Sequence, residues 1–120
     1  MAELFLDTSF AIALSSVTDQ NHVRAVKLAN QIEADGTRLV TTQAILLEIG
    51  NSLSKQKYRA AAIQLLESLE TDPSIEVILL TNSLYRLAFN LFKQREDKEW
   101  GLVSCIEPIW DLFMWQQFLR

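Results

Sequence analysis

The chain has 120 residues, 49% of them hydrophobic and 22% charged, which suits one folded domain with a modest core. Its net charge of −4 argues against nucleic-acid binding through a general basic surface, yet leaves room for an acidic pocket that reaches phosphate through a divalent metal. One cysteine, Cys105, excludes an intramolecular disulfide and a cysteine-based zinc site, and with no apolar run of the ~18 residues that a bilayer span needs the expected setting is a reducing cytoplasm, without membrane contact.

The first element is the apolar run Leu4 to Leu6, read as a buried strand with Asp7 at its carboxyl end. Asp, Thr and Ser at such a point often cap a helix, and in an open α/β sheet the same edge is where ligands bind. Thr8 to Ser15 then reads as a short helix. Asp19 is expected to cap a second one, in which Ala25, Leu28, Ala29 and Ile32 recur at helical spacing and Gly36 ends the run. "RLVTT", Arg38 to Thr42, has the β-branched content of a strand.

A helix with Ile45, Leu46, Ile49 and Leu53 on one face follows, then another with an apolar stripe from Tyr58 to Leu69. Beyond the turn "TDPS", Ile75 to Leu80 reads as the clearest buried strand. Thr81 or Asn82 caps the next helix, where Leu84, Leu87, Ala88, Leu91 and Phe92 form a stripe. Strands alternating with helices predict a parallel sheet flanked by helices. His22 is expected to serve packing or the surface rather than a metal, and Cys105 to be a small core residue.

Three acids invite comparison. Asp7 ends the first strand. Glu48 lies about 60° from Ile45 around the helical wheel, at the edge of the apolar face. Asp97 stands in "QREDKEW", where the last clear helix gives way to a loop. Each has a plain structural explanation as cap, surface residue or helix-end acid. Grouped, they would offer oxygen ligands to Mg²⁺ or Mn²⁺. Such an ion orients and polarises a phosphodiester and acidifies a bound water, so hydrolysis would need neither a His nor a Cys nucleophile.

The motifs "FLDTSF", "LLEIGNSLS" and "DKEWGLVSC", in this order, resemble the PIN-domain family and, within it, the VapC-type toxins of toxin–antitoxin pairs. The resemblance covers about residues 3 to 106, and residues 1–120 are read as a single PIN-like domain. It implies a three-layer α/β fold whose acids gather at the carboxyl edge of the sheet. It further implies a metal-dependent endoribonuclease acting on single-stranded RNA, with an antitoxin protein as partner. On this mapping Asp7, Glu48 and Asp97 are catalytic and metal-site acids, while Thr8 and Ser9 bind substrate.

The chain departs from the family at two places. In the subgroup that "DKEWGLVSC" resembles, the position of Ser104 is usually an Asp that ligates metal. Serine is a poor ligand for Mg²⁺ or Mn²⁺, so weak binding and impaired catalysis are expected. Ser104→Asp is accordingly expected to strengthen Mn²⁺ binding, measured by calorimetric titration of the two proteins side by side. The tail "EPIWDLFMWQQFLR", residues 107–120, does not read as the helix and strand with which family members continue. A truncated or frameshifted ending would account for it. Its Trp110, Phe113, Met114 and Trp115 are expected to drive association, in a homodimer or against a bound partner. The alternative function is a catalytically inactive PIN-like binding module.

Overall fold

The structure, a computed structural model, describes residues 3–99 and 101–106. The chain divides into two compact units, Met1–Leu79 and Leu80–Arg120.

In the first unit three strands alternate with pairs of helices. The strands are β1 (Glu3–Phe5), β2 (Arg38–Thr42) and β3 (Ile75–Ile78). Helices α1 (Thr8–Ser15) and α2 (His22–Asp35) connect the first two, and α3 (Gln43–Ser52) and α4 (Gln56–Thr71) connect the second and third. All pairing is parallel and the order is β1-β2-β3, as the alternating pattern predicts. Parallel neighbours need a crossover, and here each crossover is helical.

The central strand is β2, which accounts for a correction to the sequence reading. Val40, Thr41 and Thr42 are buried, whereas β3 stops at Ile78 and is half-buried throughout. Leu79 and Leu80, expected to be strand residues, are exposed. Apolar content alone nominated Ile75 to Leu80 as the most buried strand. Position in the sheet gives that place to β2, because a strand with neighbours on both sides is covered on more of its perimeter.

Helix boundaries follow local chemistry. Gly36 adopts φ 66° and closes α2, its amide bonding back to the Glu33 and Ile32 carbonyls, a left-handed ending that glycine accepts without a Cβ penalty. Asp19 does not cap α2 as expected. Its Oδ1 accepts from the Asn21 amide and its carbonyl from the His22 amide, so it builds the turn that precedes the helix. His22 places Nδ1 2.8 Å from the Ala13 carbonyl, tying α2 to the end of α1. That is the packing role expected of it.

The core of this unit is formed by Leu6 of the first crossover, Val40 of β2, and Ile45 and Ile49 of α3, with Ile32 and Leu69 closing it from α2 and α4. Tyr58 and Ala61, counted in the predicted α4 stripe, are exposed, while Ala62 and Leu69 are buried.

In the second unit, α5 (Asn82–Gln94) is capped by Thr81, whose hydroxyl accepts from the Leu84 amide at 3.1 Å. A 3₁₀ turn, Val103–Cys105, packs with α5. Ala88, Cys105 and Ile106 are buried, and burial pushes the Cys105 thiol above its ordinary pKa. An inert core cysteine fits that setting.

Candidate metal centre at the carboxyl edge of the sheet

Asp7 stands two residues beyond β1 and one before α1. Its backbone is extended, and its Oδ1 accepts the Phe10 amide at 2.8 Å, an N-cap of the ordinary kind. The side chain is exposed, and its second carboxylate oxygen has no partner among the described residues. The capping and ligand readings are therefore compatible, because one oxygen anchors the helix while the other stays available. Asp7 also borders an apolar groove of about 210 Å³ walled by Leu4, Phe10, Leu28, Ile32 and Leu39.

Glu48 is carried by α3, which begins directly at the end of β2. The Thr42 hydroxyl caps that helix by accepting the Ile45 amide at 3.3 Å. Glu48 follows Ala44 by four residues and Ile45 by three. It therefore lies above two buried positions and is itself half-buried, with no hydrogen bond or ion pair among the described residues. Helices α1 and α3 pack against each other. The structure thus sets the elements that carry Asp7 and Glu48 side by side, above the ends of adjacent parallel strands.

Thr8, the first residue of α1, is buried, and its Oγ1 has no hydrogen-bond partner among the described residues. A buried hydroxyl without a partner is uncommon and calls for a water or ligand to satisfy it. Ser9 is exposed on the same turn.

Asp97 belongs to the second unit. It is exposed, and Arg95 donates to both of its oxygens, from Nε at 3.2 Å and Nη2 at 3.4 Å. Those hydrogen bonds hold its carboxyl below the usual carboxylate range. Ser104 is exposed on the 3₁₀ turn. Trp110, Phe113, Met114 and Trp115 lie outside the described residues.

Among the described residues, no three His, Cys, Asp or Glu side chains are grouped as a metal cage would group them. The donors of the first unit do fit a hard cation in kind. Two carboxylates carry oxygens with no partner among the described residues, and Thr8, with its unsatisfied hydroxyl, follows one of them in the chain. A larger cleft, about 440 Å³, lies at the opposite end of the sheet, around Gly36, Arg38, Pro73 and Ser74 where β2 and β3 begin. It offers no comparable set of acids.

Sequence reasoning did not single out the Thr41–Thr42 pair beyond its β-branched character. Thr41 is fully buried and donates its hydroxyl to the Leu6 carbonyl at 3.0 Å. A hydroxyl at the last strand position before a helix was the available signal for Thr42. For Thr41 there was none, since its partner is 35 residues away.

Comparison with known proteins agrees with this architecture. The profile of the PIN domain family matches residues 4–106, and the chain belongs to that family. Among solved structures it is similar to VapC20 of Mycobacterium tuberculosis, described as a sarcin-ricin loop cleaving toxin. The TM-score is 0.72 at 21% identity, over 86% of this chain and 76% of that one, a likeness of fold. No curated protein sequence matches.

Proposed function

We propose that the chain is a PIN-type endoribonuclease of the toxin class, acting on single-stranded RNA with Mg²⁺ or Mn²⁺ held by Asp7 and Glu48. An antitoxin protein is the expected partner. The observation that carries this reading is the half-engaged Asp7 carboxylate at the end of a parallel strand, beside the helix that presents Glu48, which has no partner among the described residues.

When bound, a divalent ion would polarise the phosphodiester and lower the pKa of an attacking water. The protein's own contribution is positional. The Phe10 amide fixes the Asp7 rotamer through one oxygen and leaves the other for the cation. Glu48 supplies the second charge from a helix whose start is pinned by Thr42. The Thr8 and Ser9 hydroxyls, on the first turn of α1, are donors suited to phosphate oxygens.

Two carboxylates hold a divalent ion less tightly than three or four, so the affinity is expected to be weak and turnover slow. That gives weight to a second reading, a PIN-like module that binds RNA or a partner without cleaving. The serine at position 104 favours it, since the resembled subgroup has an aspartate there.

The deciding assay incubates the full chain with single-stranded RNA in Mn²⁺ and in EDTA, alongside Glu48→Gln. Slow cleavage that needs Mn²⁺ and is lost in Glu48→Gln is the expected result. Cleavage that persists in EDTA and in the variant would overturn the carboxylate–metal mechanism. Mn²⁺-dependent RNA binding without cleavage would replace the first reading by the second.

A further inference from the structure

The geometry points to Thr41 as a positioning residue for the Asp7 carboxylate, an inference that rests on the metal-centre reading above. Pairing of β1 with β2 ends at Phe5 and Val40. Leu6, the next residue, is still held at both of its main-chain polar groups. Its amide donates to the Val40 carbonyl at 2.7 Å, and its carbonyl accepts the Thr41 hydroxyl at 3.0 Å. Two consecutive residues of β2 therefore grip the last residue before Asp7.

The second grip is made by a side chain at a place where the strand pairing has already ended. Thr41 is fully buried and Leu6 nearly so, so the bond is shielded from competing water. It orients the carbonyl of Leu6, and with it the plane of the peptide that joins Leu6 to Asp7. That plane determines where the Asp7 side chain leaves the sheet. The next residue of β2, Thr42, caps α3 through the Ile45 amide and so sets the start of the helix bearing Glu48. Neighbouring hydroxyls thus serve the two acid-bearing elements separately, and Thr41 is the one that fixes Asp7.

A valine at position 41 would occupy nearly the same space and offer no donor. A buried carbonyl that loses its donor turns toward another, and the 6–7 peptide would rotate with it. Metal ligands are sensitive to such outer contacts, whose loss costs about 10–100-fold in metal affinity.

The test is Mn²⁺ binding by the full chain, followed by the electron-spin signal of the free ion, for wild type, Thr41→Ser, Thr41→Ala and Thr41→Val. Stability without metal is measured in parallel by urea unfolding. Ser and Ala both lack the methyl group and differ only in the hydroxyl. Thr41→Ser is expected to stay within about twofold of wild type, and Thr41→Ala and Thr41→Val to bind roughly tenfold more weakly.

Equal Mn²⁺ affinity for the folded Ser and Ala variants would overturn the inference, whatever their stabilities, because a merely structural hydroxyl lowers stability without moving affinity. If Thr41→Val does not fold, the Ser–Ala pair still decides, since alanine puts no methyl group where the hydroxyl stood beside the Leu6 carbonyl. Wild type that binds no Mn²⁺ would remove the metal-centre reading itself, and this inference with it. Wild type that binds, with Ser and Ala alike, removes only the role of Thr41.

Discussion

Asp7→Asn is expected to abolish measurable Mn²⁺ binding while leaving the stability of the metal-free chain almost unchanged. The reason is the double engagement of Asp7. Its Oδ1 caps α1 at the Phe10 amide, and asparagine is as good an N-cap as aspartate, so helix α1 keeps its first turn. What the substitution removes is the negative charge and the second anionic oxygen, the features a hard divalent ion requires.

Asp7→Ala should differ in kind, losing the ion and in addition about 0.5–2 kcal/mol of stability through the missing cap. The comparison separates two roles of one side chain. Thermal unfolding with and without Mn²⁺ reads both at once. An ion at ten times its dissociation constant stabilises the folded state by about 1.4 kcal/mol, so wild type should shift upward and neither variant should. A clear Mn²⁺ shift in Asp7→Asn would exclude Asp7 as a ligand.

A second large effect is expected next to Glu48. Ile49 is fully buried, whereas Leu47 is 64% exposed, so the two neighbours of the acid face opposite environments. Ile49→Ala removes three carbons from a site that touches no solvent and should cost about 2–5 kcal/mol. Against a total stability of the order of 5–15 kcal/mol for a domain of this class, that is a large fraction. Leu47→Ala gives up little burial and should stay within roughly 0.5 kcal/mol. Urea unfolding of the two variants measures the difference. Equal losses would mean that α3 is rotated from its described orientation, and Glu48 would then face elsewhere.

The positions of Asp7 and Glu48 were legible from pattern because both depend on local features. An acid after an apolar run, and an acid at the edge of a helical stripe, are visible in a few consecutive residues. The burial of β3 departs from its apolar pattern for the opposite reason. "IEVILL" is more apolar than "RLVTT", and composition says nothing about which strand will have two neighbours. The role of Asp19 is not legible in sequence, because an acid that caps a helix and an acid that shapes the turn before it look alike there. Only the hydrogen bonds to Asn21 and His22 distinguish them.

By itself, the sequence determined the alternation of strands and helices, the parallel sheet that follows from it, the glycine that ends α2 and the acid at the exit of β1. These are consequences of periodicity, φ preference and capping, each settled within about a turn of chain. The tertiary structure alone decided that β2 is the central strand, that α1 packs beside α3, and that the Thr41 hydroxyl reaches the Leu6 carbonyl. Such contacts join residues that chain order keeps apart. Their energies depend on which surfaces meet and which polar groups are left without water, and neither quantity exists until the chain has folded.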